Sequence, residues 1–172
     1  MNLVISHNVL QERIALHASE IHRDFPDATH AVIVLNGGLH FASRLLLELG
    51  VDLLPVYVRV SSYRGTRRAA HPSIASWLGP SDLAGARVLV IDDIADTGET
   101  LDLICDSCVE LGATIVRCAV LLQRASCPVR LSWSCFTVAA SDFFVGFGLD
   151  LDGRYRNLSA VYSLDPEEHH AR

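Results

Sequence analysis

The sequence predicts an α/β fold: an open, mainly parallel twisted sheet flanked by helices, with a small cap near the C-terminal end. Three observations lead there. Largely apolar runs recur at residues 31–35, 53–60, 88–91 and 114–122, and the most continuous of them read as strands buried on both faces. Between them the pattern runs strand, helix, strand, loop, strand, helix, strand, the alternation of a parallel sheet with right-handed crossovers. Polar turns then follow the C-terminal ends of the strands, where such sheets bind their ligands.

Composition sets the frame. The chain has 172 residues, 50% of them apolar and 20% charged, which suits a single globular domain with one sizeable core. Its formal net charge of −6 comes with no cluster of Lys and Arg large enough for a nucleic-acid partner. No run approaches the length of a membrane span, and the first residues lack the basic start and apolar segment of a signal peptide. Five cysteines, an odd number, fit buried thiols in a reducing cytoplasm better than a disulfide framework. Cys105 and Cys108 have the spacing of a zinc or redox pair. They fall mid-helix without a second pair, so core packing is expected.

Taken in order, residues 8–24 place Val9, Leu10, Ile14, Ala18 and Ile21 at helical spacing. His17 and His22 are expected on the solvent side, and Phe25-Pro26-Asp27 ends the helix. The strand at 31–35 runs into Asn36-Gly37-Gly38, a turn that lets a ligand approach the backbone. A helix over about 41–49 closes at Gly50. After the strand at 53–60 comes a polar segment to about residue 76, with Arg64, Arg67 and Arg68. Its length and lack of period suggest an irregular lid for an anionic ligand. In the last third Trp133, Phe136, Phe143, Phe144, Phe147 and Tyr155 fall among short strand-like pieces, which we read as a cap able to stack on a flat ring.

The stretch with the most chemistry is Val88-Leu89-Val90-Ile91-Asp92-Asp93-Ile94-Ala95-Asp96-Thr97-Gly98-Glu99-Thr100-Leu101. A buried strand surfaces at two adjacent carboxylates and passes through a Thr- and Gly-rich turn into a helix over about 98–111. Free N–H groups and the dipole at a helix start favour a phosphate. Acids beside a phosphate repel it unless they hold a cation or a hydroxylated sugar. The stretch therefore suggests a sugar phosphate with Mg²⁺.

This stretch resembles the phosphoribosyl-pyrophosphate motif of the type I phosphoribosyltransferases. Asp142-Phe143-Phe144-Val145-Gly146-Phe147-Gly148-Leu149-Asp150, Ser62-Tyr63 and Leu35-Asn36-Gly37-Gly38 extend the resemblance, within that family, to the hypoxanthine-guanine branch. It implies one domain with a core at about 28–125, a hood from about 1–10 and 126–172, and a mobile lid at about 61–76. It also implies transfer of 5-phosphoribosyl from phosphoribosyl pyrophosphate to a 6-oxopurine, with Mg²⁺, in a homodimer or homotetramer.

Residue by residue, the resemblance gives Asp92 and Asp93 to the ribose hydroxyls and the metal, and Asp96 to purine N7 as general base. Asp96, Thr97, Gly98, Glu99 and Thr100 form the 5-phosphate loop. Asn36 and Gly37 match the pyrophosphate loop, where the family often holds a non-proline cis peptide, and Arg156 is a further pyrophosphate contact. Ser62 and Tyr63 belong to the lid. Phe143 stacks on the purine, Phe144 offers backbone groups to its edge, and Asp150 is a second metal contact beside the base. Three departures stand out. Asn36 replaces a lysine of many relatives, and Arg124 stands where the family's lysine donates to the purine 6-oxo group. A planar guanidinium is not equivalent to an ammonium. Glu99 adds a negative charge to a phosphate loop, tolerable with its side chain turned to solvent.

Overall fold

The computed structural model describes residues 1–64, 67–78, 82–128, 132–139 and 142–164, with the side chains of 61–71 and 78 outside that description. Along the chain lie β1 (Asn2–Ile5), α1 (His7–Asp24), β2 (His30–Leu35), α2 (Gly38–Leu49), β3 (Leu54–Arg64) and β4 (Arg67–Leu78). These are followed by β5 (Arg87–Ala95), α3 (Glu99–Glu110), β6 (Ile115–Arg124), β7 (Trp133–Val138), β8 (Phe143–Val145) and β9 (Val161–Leu164). The strands form a six-stranded sheet in the order β4-β3-β2-β5-β6-β7 and a three-stranded sheet in the order β1-β9-β8. In the large sheet β3, β2, β5, β6 and β7 run parallel, and β4 alone turns back. The predicted open, mainly parallel sheet is therefore the one observed.

The apolar runs are explained by burial on both faces. Along the central strands, Ala31, Ile33, Leu89, Ile91, Ala119 and Leu121 point into one core with Leu10, Ile14, Phe41 and Leu45 of α1 and α2. The alternate residues Val32, Val34, Val88, Val90 and Val120 point into a second core with Leu101, Ile104 and Cys108 of α3. Period-two alternation thus feeds two apolar faces rather than one apolar and one wet. The same architecture fixes the strand ends. Ile33 lies opposite Ile91, which lies opposite Ala119, so β2, β5 and β6 finish side by side.

Three expectations need correction. The polar segment after residue 60 is not irregular, because its backbone continues β3 and returns as β4 in an antiparallel pair. An antiparallel pair of mixed polar composition lacks the clean alternation that marks a strand facing a single core. Trp133 and Phe136 belong to β7 of the large sheet and not to the cap, so the hood does not begin at residue 126. Finally, His17 is buried at 2% exposure, while His22 is exposed as expected. Among the described residues no helix is long and apolar enough to cross a membrane. All five cysteines are free; Cys108 is buried, and Cys105 Sγ lies 3.3 Å from Cys118 Sγ within the packing of α3 against the sheet.

Candidate active site

At the C-terminal ends of β2 and β5 lies a cavity of about 300 Å³. Asn36, Gly37, Asp92, Asp93, Asp96, Thr97, Gly98, Thr100, Asp150 and Arg156 line it, together with apolar groups that include Val60, Ile94 and Leu101. Parallel strands and short turns therefore bring together residues more than a hundred positions apart in the chain.

Its floor is the surfacing end of β5. Asp92 is buried and Asp93 half-buried, each accepting a local backbone hydrogen bond: Asp93 N–H donates to Asp92 Oδ1 at 2.8 Å, and Ile94 N–H to Asp93 Oδ1 at 2.8 Å. Burial, and then the charge on Asp93, pushes Asp92 well above the ordinary carboxylate range. Burial also raises Asp93, while hydrogen bonds from Asp92 and from the Ile94 backbone and the charge of Arg156 pull it partly back. The β2–α2 turn sits directly on these acids. A Cβ on Gly37 would lie 1.8 Å from Asp93 Oδ2, and one on Gly38 would lie 3.0 Å from the Ile91 carbonyl oxygen. Close approach, rather than an unusual φ, is what demands glycine here. The same loop holds a non-proline cis peptide between Leu35 and Asn36.

The wall is the β5–α3 turn. Gly98, at φ 87°, swings the chain into α3, whose first residue is Glu99. Glu99 is exposed and does not line the cavity, so its charge faces solvent. Thr97, Gly98 and Thr100 present the helix start to the cavity, an anion-binding geometry.

The roof comes from the segment after β8. Gly146, Phe147 and Gly148 all have positive φ (96°, 51° and 104°), which curls the chain over the β2–α2 turn. A Cβ on Gly148 would meet the Gly37 carbonyl oxygen at 2.2 Å. The Gly-Phe-Gly spacing is the visible signal of this contact in the sequence. Beyond it Asp150 pairs with Arg156 Nη2 at 2.6 Å and also accepts from Gly153 N–H at 2.6 Å.

Arg124, Phe143 and Phe144 do not line the cavity but flank it on the Asp96 side. Arg124 Nε donates to Asp96 Oδ1 at 3.1 Å and stacks its guanidinium over Phe144, 5.5 Å from the ring centroid. Phe144 is buried and Phe143 half-buried. Ser62 and Tyr63 lie in β3, and their side chains are outside the described residues.

Residues 5–152 match the phosphoribosyl transferase domain model. The chain belongs to that family. It is 27% identical over 169 residues to a hypoxanthine-guanine phosphoribosyltransferase of Streptococcus pneumoniae, covering 96% of this chain and 93% of that protein. A hypoxanthine-guanine-xanthine phosphoribosyltransferase of Tritrichomonas foetus is 30% identical over 157 residues, covering 88% of this chain and 85% of its own length. Among solved structures, a hypoxanthine-guanine phosphoribosyltransferase from Bacillus anthracis superposes with a TM-score of 0.82 at 27% identity, covering 95% and 96% of the two chains.

Proposed function

We propose that this phosphoribosyltransferase acts on purines, moving 5-phosphoribosyl from phosphoribosyl pyrophosphate to hypoxanthine or guanine and releasing IMP or GMP and pyrophosphate. The observation that carries the reading is one cavity in which a helix start, a buried acid pair and a close-packed glycine loop meet. The names of the relatives support the choice of purine. In the reaction a purine ring nitrogen forms the bond to ribose C1 as the bond from C1 to pyrophosphate breaks, through an oxocarbenium-like state. The α3 N-terminus holds the 5-phosphate, so the ribose is fixed at one end while C1 moves. Asn36 and Gly37 hold the pyrophosphate through backbone groups, with Arg156 as the nearby cation. Asp96, at the open edge of the cavity, takes the proton from purine N7.

The donor set fits Mg²⁺. Among the described residues four carboxylates line the cavity against one arginine, a set that a polyanionic substrate meets more favourably with a cation between. Among the described residues no cluster of three or more ligating side chains forms an all-protein cage. Mg²⁺ commonly binds one or two carboxylates and completes its shell with water and phosphate oxygens. Asp92 and Asp93 would hold it. Asp150 is engaged by Arg156 and Gly153 and is a weaker candidate. When bound, the ion would neutralise charge on the leaving pyrophosphate.

The test is pyrophosphate release from phosphoribosyl pyrophosphate and Mg²⁺ with a panel of hypoxanthine, guanine, xanthine and adenine. Turnover with hypoxanthine or guanine is expected. Silence with every base would sink the enzymatic reading in favour of a sugar-phosphate-binding regulator. Preference for xanthine would favour the activity named for the Tritrichomonas relative.

A further inference from the structure

The guanidinium of Arg124 is committed in several directions at once. Nε donates to Asp96 Oδ1 at 3.1 Å, and Nη1 donates to the carbonyl oxygens of Ala139 at 2.8 Å and Asp142 at 2.6 Å. Its plane also lies over Phe144, with Cζ 5.5 Å from the ring centroid. Its side chain is 11% exposed, whereas that of Asp96 is 66% exposed. An exposed carboxylate on a turn has freedom to lose. An ion pair on a surface contributes little when both partners must be ordered for it. Here one partner is already ordered by two carbonyls and a ring, so only the carboxylate gives up freedom. The planar fork makes this possible, since the donor directions of an arginine are set together.

We infer that Arg124 is a positioning residue for Asp96, tying that carboxylate to the backbone carbonyls of Ala139 and Asp142, rather than the group that reads the purine 6-position. The inference rests on the proposed role of Asp96 as proton acceptor. It accounts for an arginine in place of the lysine expected there. An ammonium has no fork with which to bridge a carboxylate and two carbonyls while lying flat on a ring. It also links the proton acceptor to the Asp142 carbonyl, immediately before β8.

The experiment is a double-mutant cycle on the full chain with phosphoribosyl pyrophosphate, Mg²⁺ and hypoxanthine, using Asp96→Asn, Arg124→Gln, the double variant and Arg124→Lys. Arg124→Gln is expected to lower kcat about 10- to 100-fold, within the usual range for general acid–base catalysis, while KM for the base moves little. Arg124→Lys, which keeps the charge, is expected to fall between it and wild type, and it serves if the glutamine variant folds poorly. The double variant is expected to be no slower than Asp96→Asn within about threefold, the mark of two residues acting as a unit. The ratio of kcat/KM for hypoxanthine and its 6-thio analogue should stay as in wild type. If the two single losses multiply, or if that ratio changes about tenfold in Arg124→Lys, positioning is overturned and direct reading of the base stands. If Asp96→Asn leaves kcat unchanged, the acceptor role itself is wrong and the inference falls with it.

Discussion

The cavity holds its carboxylates in two different ways. Asp96 and Asp150 each have an arginine, Arg124 at 3.1 Å and Arg156 at 2.6 Å, and remain partly exposed. Asp92 and Asp93 stand side by side at the buried end of β5, and burial raises both. The paired acids are locally neutral and geometrically fixed, so they suit roles in which a carboxylate must point somewhere. Asp92 and Asp93 have no arginine of their own and are compensated only in part, by backbone N–H groups and the more distant charge of Arg156, which suits a cation arriving with its ligand. One site thus separates orientation from charge storage, and between Asp93 and Asp96 it does so over three positions of the chain.

The largest expected effect comes from moving the unpaired acids. Gly37→Ala puts a methyl group where Asp93 Oδ2 now sits, 1.8 Å from the new atom, and Asp93 is further held by the Ile94 N–H. Displacement of the carboxylate or of the loop by even an ångström should lower kcat/KM about 100-fold. Wild-type turnover in that variant would mean that the loop and the acid pair are not mechanically coupled. A smaller effect, of opposite sign in stability, comes from Asp92→Asn. It removes a desolvated charge and its repulsion with Asp93, so thermal unfolding at neutral pH should shift up by about 2–4 °C while turnover falls at least about tenfold. A lower melting temperature would show that the hydrogen bond from Asp93 N–H to this carboxylate outweighs the cost of its burial. The corresponding Asp150→Asn change should lower the melting temperature by about 2–4 °C, because it leaves Arg156, only 25% exposed, without its charge partner.

How these regions read from sequence follows from the same contrast. The β5–α3 stretch was legible because its chemistry is local: strand, acids, turn and helix start are consecutive, and their period and composition define one another. Asn36-Gly37-Gly38 was legible as a turn, yet its reason lay elsewhere, in the 1.8 Å approach to Asp93 that only the parallel pairing of β2 with β5 creates. The antiparallel pair of β3 and β4 looks irregular in the sequence because its polar composition hides strand alternation. Arg124 was found by position, but its partners Ala139 and Asp142 are backbone carbonyls, and no side-chain identity at those positions announces them. Gly148 was part of a recognised segment without a role, since its contact is with a carbonyl oxygen of another loop.

His17 offers the smallest and cleanest test of whether uncompensated burial by itself has a measurable cost, because it lies on α1 away from the cavity. Helical spacing suggested an outward position, but α1 packs against β7 as well as α2, which widens its buried stripe and takes His17 in. Its Nδ1 lies 3.3 Å from Glu20 Oε2 without forming a hydrogen bond among the described residues. Burial lowers its pKa first, opposed by Glu20 and reinforced by Arg13. The folded state therefore favours the neutral ring. The stability this contributes is full above the unfolded value of 6.5 and is lost as pH falls below it and through the lowered folded value. In His17→Gln, which cannot titrate, the drop in melting temperature between pH 7.5 and 5.5 should be smaller than in wild type by about 2 °C. Parallel curves for the two proteins would show that Glu20 compensates the protonated ring after all. In that event Asp92, buried and raised by the charge on Asp93, would be the better measure of a poorly compensated charge.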